Sequence, residues 1–492
     1  MGVVFGSRLS ARLLAALSLL ALAVPARAAV PKAERSALMA LYKGTGGPKG
    51  WLNRAGWLGA KGTECSWAGV QCNQDGTSVV GLSLSENGLK GTLPATLSNL
   101  VNLQSLDLEG NAVSGALPKT LGRLANLRTL YLGLNQISGA LPRELGSLAK
   151  LQVLDLPFNK LTGSLPPELG NLASLQILNL GGNQISGSIP VQLGNLRSLI
   201  YLDLSGNQLS GAIPPDLGRL AALQALALDG NRLTGTIPPA LGNLAKLVQL
   251  SLSGNQLSGV IPRRLGSLPA LMFLDLEKNQ LGGPVPLELG NATSLVGVLL
   301  SSNQLEGTIP GSFLNLPNLE ALWLDHNRFT GPVPFELGAI PTLDDNGGLD
   351  LRFNALATDT EPGLLADLNT KQVGGEWQRS QAATAPFDPQ FTLSGLADRR
   401  AGGFMIWTLQ TAAGSLPVTV STTDGTGDVD LYVRFGSAPT LTQFDASSAN
   451  PGDQESVTLA ARTGTYYIGL RARSPYTGVT LRVGGSGRLR TE

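Results

Sequence analysis

The chain has 492 residues, 42% of them hydrophobic and 14% charged, with Lys+Arg 36 against Asp+Glu 35. That length holds more than one domain, and the charge balance excludes the basic footprint of a nucleic-acid binder. One histidine, His326, excludes an H-E-x-x-H zinc protease, and the chain contains neither a G-x-S-x-G elbow nor a D-[ST]-G aspartic motif.

Residues 1–28 place Arg8 and Arg12 around the start of an apolar run, LLAALSLLALAV at 13–24, followed by Ala26, Arg27 and Ala28. This reads as an export signal cleaved after Ala28, because the run is shorter than the roughly twenty residues a spanning helix needs. Removing it also removes Arg27, leaving 33 bases against 35 acids in a mature chain expected outside the cell or at its surface, with no transmembrane segment.

Residues 29–78 read as a cap: an amphipathic helix at 34–42, a Gly-rich loop, then WLNRAGW (51–57) and CSWAGVQC (65–72). Leu38, Leu41, Trp51, Trp57 and Trp67 supply the bulk to cover an open apolar end. Cys65 and Cys72 are the chain's two cysteines. In an exported chain with no histidine nearby they are expected to form a disulfide rather than a metal site.

From residue 79 to 354 a 24-residue unit, L-x-x-L-x-L-x-x-N-x-L-x-G-x-[LIV]-P-x-x-L-G-x-L, recurs about 12 times. Its asparagines are Asn87, Asn111, Asn135, Asn159, Asn183, Asn207, Asn231, Asn255, Asn279, Asn303 and Asn327. A single unit has one short strand with one apolar face, so the units must stack into a parallel sheet over a shared leucine core. The asparagine column then becomes a hydrogen-bond ladder, because a buried amide must find partners. Glycine four places on and proline seven places on are turn chemistry. The last unit carries about three extra residues, so Asn354 falls 27 places after Asn327. Residues 355–386, with Leu364, Leu365, Leu368 and Trp377, read as a C-terminal cap and linker.

This unit resembles the plant-type leucine-rich repeat, as in LSGAIP (209–214) and LTGTIP (233–238), and C-x-W-x-G-V-x-C resembles the cap that precedes such repeats. The resemblance implies an α/β solenoid with a parallel inner sheet, short 3-10 and β outer segments, and a partner bound on the concave face. It brings no catalytic residues. The positions there that the repeat leaves variable include Asp107, Glu109, Tyr131, Asp155, Phe158, Tyr201, Asp203, Asp229, Phe273, Asp275, Glu277, Trp323 and Asp325, with Lys278 and Arg352 the main bases. Two patches are expected, Tyr201 with Asp203 and Asp229, and Phe273 with Asp275, Trp323 and Asp325.

Beyond 387 the period vanishes and short alternating runs follow, at 418–420, 429–435, 457–459, 466–470 and 479–483, the spacing of a β-sandwich. FTLSGL from Phe391, GDVDLYVRFG from Gly427, GTYYIGLR from Gly464 and YTGVTLRV from Tyr476 resemble the bacterial pre-peptidase C-terminal domain. This implies an all-β jelly-roll-like appendage of secreted bacterial proteins over 387–484, with 485–492 a tail. Asp424, Asp428 and Asp430 are a candidate Ca²⁺ cluster, set against turn residues and a solvated strand face. No cofactor is expected. Three functions stay open: a secreted non-enzymatic protein that binds a protein or peptide, an adhesin or polysaccharide binder, and a hydrolase built on two acids that no motif singles out.

Overall fold

The computed structural model describes residues 29–334 without a break, then 337, 340–343, 348–357, 368–373, 377–381, 390–398, 404–411, 418–423, 426–435, 445–449, 455–459, 464–484 and 488–491. The expected leader at 1–28, Leu364, Leu365 and the expected linker around 382–389 lie outside them.

The chain enters through a helix, Lys32–Gly44, whose Ala37, Leu38 and Leu41 are buried. Glu34 is buried too, because its carboxylate accepts from Ser78 Oγ (2.6 Å) and the Val79 amide (2.7 Å), tying the helix to the first repeat strand. Behind it, Trp57 stacks on Tyr42, packs edge-on to Trp51 and leans on Trp67, with centroids 4.7–5.4 Å apart. Cys65 and Cys72 are bridged, their Cα atoms 5.5 Å apart. The bridge holds the strand Val70–Cys72, which pairs antiparallel with Val79–Ser83 and covers that edge of the sheet.

Each coil then repeats one construction. In Tyr201–Asp203 the central Leu202 is fully buried while its neighbours are half-exposed, and the strand pairs in parallel with Ile177–Asn179 and Ala225–Ala227, 24 residues away on either side. Among the described residues, twelve such strands, from Val79–Ser83 to Leu349–Asp350, together with the antiparallel Val70–Cys72 at the first edge make the inner sheet. After the asparagine a second strand, such as Gln208–Ala212, contributes to outer sheets of four and eight strands. Pro214, with φ −65°, then opens the 3-10 helix Pro215–Arg219. Gly211 sits at φ +76°, open to glycine and strained for any other residue. The core is one continuous cluster from Val30 in the first cap to Trp377 in the last.

The asparagines bridge coils. Asn231 donates to the Leu204 carbonyl of the preceding coil (2.9 Å) and to Leu228 (3.0 Å) in its own, and its Oδ1 accepts from the Leu209 amide (2.9 Å). Asn354 makes the same set, to Leu324, Leu351 and the Phe329 amide, so the ladder continues past the last unit's three extra residues.

The C-terminal region is antiparallel, with Val420, Leu431, Val433, Val457, Tyr466, Ile468 and Leu470 at its core. The two runs expected at 466–470 and 479–483 are one 21-residue strand, Gly464–Gly484. Its first half pairs with Phe404–Thr411 and Thr426–Phe435, its second with Gln390–Asp398 and Val418–Thr423. Ser474, Pro475 and Gly478 look like a turn in sequence, but they mark a bend, where the pairing register slips and the strand passes between sheets. Residues 485–492, expected as a tail, include the strand Arg488–Thr491 on the edge of Phe404–Thr411. A short charged run gives no strand signal, and an edge position tolerates it.

Candidate ligand-binding face

On each inner strand the residues flanking the buried leucine point away from the core, as does the residue after the next leucine. With coils about 4.8 Å apart, these positions form columns. One runs Asp107, Tyr131, Asp155, Asn179, Asp203, Ala227, Ser251, Asp275, Leu299, Trp323, Asp350. Tyr201 and Phe273 stand in the adjacent column, and Glu109, Asp229, Glu277 and Asp325 follow two residues beyond their strands.

The register brings Tyr131, Asp155, Tyr201, Asp203 and Asp229 together on the N-terminal half. Asn179 Nδ2 donates to Asp155 Oδ1 at 2.8 Å. Tyr201 Oη donates to Asp203 Oδ2 at 3.0 Å, and Ser205 donates to Oδ1 through its amide (2.9 Å) and hydroxyl (2.6 Å). These neutral donors hold the acids in place without cancelling their charge. Burial, with Glu109, Asp203 and Asp107 adding like charge against the Asn179 hydrogen bond, raises the Asp155 carboxyl to about 6. Burial and the neighbouring acids also push Asp229 and the Tyr131 and Tyr201 phenols up.

Uncharged, non-aromatic side chains at Ala225, Ala227, Gln249 and Ser251 separate this patch from the second. There Asp275 accepts from Ser251 (3.2 Å) and Ser253 (2.7 Å), Asp325 accepts from Ser301, and burial raises Glu277. Phe273 leans on the next coil, its Cδ1 3.2 Å from where a Cβ on Gly297 would stand. Arg352 is committed to Asp350 through Nε (2.9 Å) and Nη2 (2.6 Å). His326 lies in a left-handed turn (φ +52°), with Nδ1 2.7 Å from Asp325 and its ring stacked on Phe353 at 4.2 Å.

Sequence reasoning did not single out Asn179, Leu134, Ser301 or Phe353. All four stand at positions that the repeat leaves variable; for Leu134 and Phe353 the signal available was a bulky apolar residue directly before the ladder asparagine. Strand alternation turns Asp430 into the sandwich core, where Tyr432 Oη donates to it (3.2 Å) and Arg471 lies 4.0 Å away. Asp424 lies outside the described residues, among which no group of three acids, histidines or cysteines could hold a metal.

The leucine-rich-repeat family model matches at 163–209 and 221–281, and a second such model at 102–124, 126–148, 150–172 and 318–340. The bacterial pre-peptidase C-terminal domain matches at 405–472. The chain is a leucine-rich-repeat protein with a bacterial pre-peptidase C-terminal domain. The repeats are similar to the crystal structure of PEPR1–AtPEP1, at 34% identity over 70% of this chain and 48% of that one, TM-score 0.62. They are also similar to the Arabidopsis receptor kinase HAESA ectodomain in complex with an extended IDA peptide hormone ligand, at 35% identity, 66% and 53% coverage, TM-score 0.57. The pre-peptidase domain is similar to part of a neutral protease of Vibrio proteolyticus, 45% identical over 73 residues, 15% of this chain and 12% of that protein. The protease likeness therefore stops at the appendage, and the chain spans about half of the receptor ectodomains it matches. Among the described residues, no helix is long and apolar enough to cross a membrane.

Proposed function

We propose that the protein is exported, is not an enzyme, and uses the outward face of the inner sheet to bind a peptide or an extended segment of a protein, one that carries positive charge. The observation that carries this is the column of Tyr131, Asp155, Asn179 and Asp203 in continuous register, with Tyr201 and Asp229 beside it. It offers acids fixed by neutral donors next to aromatic rings, over a span of several coils. An extended chain lying across the strands reads such a column one coil at a time, the acids steering its approach and the rings anchoring it. The similar PEPR1 and HAESA structures, the latter in complex with a peptide hormone, support a peptide over a glycan. That the protease likeness lies within the pre-peptidase domain supports a non-enzymatic solenoid, and the leader at 1–28 supports export.

The test is a peptide library screened against the mature full-length chain, with binders measured on Tyr201→Ala, Trp323→Ala and, on an outer 3-10 helix, Arg264→Ala. Losing an anchor should cost about 2 kcal/mol or more, and added salt should slow association more than it speeds dissociation. Affinity unchanged in both inner-face variants, with loss in Arg264→Ala, would move the site to the outside.

A further inference from the structure

Between Asp107 and Asp229 two successive coils carry a bulky apolar residue at the turn before the ladder asparagine. The residue before each ladder asparagine sits in a left-handed turn, and in four successive coils it is glycine: Gly182, Gly206, Gly230 and Gly254. Just before that run it is Leu134 (φ +54°) and Phe158 (φ +53°), which are 46% and 63% exposed. A bulky side chain is unfavourable in that conformation and gains nothing from burial here.

Phe158 does not project at random. A Cβ on Gly182 would come within 2.6 Å of Phe158 Cδ1, so the ring lies over the next coil where only glycine leaves room. The residue beside it, Gly181, faces the other way. A Cβ there would stand 3.0 Å from Asp203 Oδ1. Gly181 and Gly182 thus form a bare floor, with an aromatic ring on one side and a carboxylate on the other. Asp155, on the coil that carries Phe158, adds a second acid, held toward this floor by Asn179. The strands and the three residues after them, from Ser105 to Gly230, contain five acids and no lysine or arginine. Among the described residues, no cation pairs with Asp155 or Asp203.

We infer that this notch is the seat of one lysine or arginine side chain of the peptide ligand, its aliphatic stem lying on the Phe158 ring and its charged head between Asp203 and Asp155. The inference rests on the peptide-binding reading above and adds the residue that the ligand must carry. A long cationic side chain is the occupant that uses both walls: its stem covers apolar surface, its head meets the ring by cation–π attraction, and it supplies the counter-charge that the two acids on either side of Asn179 lack. A purely apolar side chain would leave the acids desolvated, and a neutral polar one would leave the ring exposed.

The probe is an array of nonapeptides, each with one lysine or arginine in an otherwise Ala/Ser/Tyr background, tested on the mature full-length chain. The best binder is then remade with norleucine in place of its lysine, or citrulline in place of its arginine. Phe158→Gly restores the residue that the following coils carry, so the fold should be kept or made more stable. Binding of the cationic peptide should fall at least tenfold, while the norleucine or citrulline peptide is barely affected. Asp203→Asn should couple to the same replacement in a double-mutant cycle, each change alone costing nearly as much as both together. Binders that depend on Tyr201 and Trp323 but ignore Phe158→Gly and Asp203→Asn would overturn the notch and leave the face reading intact. Binders indifferent to all four substitutions, or an array with no binder, would reject both.

Discussion

Asn207 Oδ1 accepts the amide of Ile185 in the preceding coil at 3.0 Å, while its Nδ2 donates to the Leu180 carbonyl of that coil at 3.0 Å and to Leu204 in its own at 3.1 Å. One buried side chain thus satisfies three backbone groups in two coils. Asn207→Ala would strand all of them, and a buried group without a partner costs about 1 to 3 kcal/mol. We expect a loss of about 3 kcal/mol or more, read as a lowered urea midpoint of the repeat transition by circular dichroism. A midpoint within error of the parent would mean that water replaces the amide at no cost.

Two glycines of ordinary φ should respond oppositely to alanine. A Cβ on Gly194 would run into the Asp216 carbonyl where successive 3-10 helices pack, whereas one on Gly311 meets nothing within 4 Å. Gly194→Ala should therefore destabilise by more than about 1 kcal/mol, and Gly311→Ala should be neutral or stabilising by up to about 1 kcal/mol. Thermal melts of the two variants would show it, and equal shifts would deny the close approach.

Asp155 ties stability to pH. Its folded pKa, about 6, lies above the ordinary 3.8, so the folded protein holds the proton more tightly than the unfolded chain. Stability from this group is full below about pH 4 and is lost as pH rises to about 6, on the order of 3 kcal/mol in total. Asp155→Asn should match the parent at pH 4 and exceed it at pH 7. A variant less stable than the parent at pH 7 would reverse the sign and defeat the assignment. A cationic ligand should bind the parent more tightly at pH 7 than at pH 5.

Much of this was legible in the sequence because the period does not slip between Asn87 and Asn327. With Asn87 through Asn327 in strict step, residue i must stand beside i+24, so the companionship of Tyr131, Asp155 and Asp203 follows from their spacing alone. Side-chain direction does not. That Phe158 turns over Gly182 depends on a left-handed backbone that the pattern does not encode. The glycine of each L-G-x-L was visible as a column, but its cause, a carbonyl of the next coil against its Cα, is a contact between coils. In the sandwich the same logic failed at Asp430, whose alternation with Asp428 fits an exposed or a buried face equally until Arg471 is seen across from it.

The bridge between Cys65 and Cys72 closes a loop of sequence separation 7, for which the chain-entropy estimate is about 2.5 kcal/mol. Mass spectrometry of the unreduced mature chain should find no alkylatable thiol, and its N-terminus should begin at Ala29. Cys65→Ser with Cys72→Ser should lower the melting temperature while binding on the distant face persists. Two reactive thiols in the unreduced protein would refute the bridge.

Limited proteolysis should cut first within 382–389, where the 24-residue period has ended and the sandwich has not begun. The fragment from about residue 387 should retain β-sheet circular dichroism and unfold cooperatively. An unfolded fragment would show that the two parts depend on each other.

From Asn135 to Asn327 the ladder bonds between coils join only immediate neighbours, at offsets that do not change: Asn Oδ1 to the amide 22 residues back, Nδ2 to the carbonyl 27 back. Cutting at any two equivalent positions and rejoining therefore brings together surfaces that already fit. A crossover between misaligned copies of the coding sequence, offset by one or more whole units, would leave a chain that still closes at both ends. The length of the face is then a quantity that heredity can adjust in whole coils, each about 4.8 Å, while the two ends are inherited unchanged.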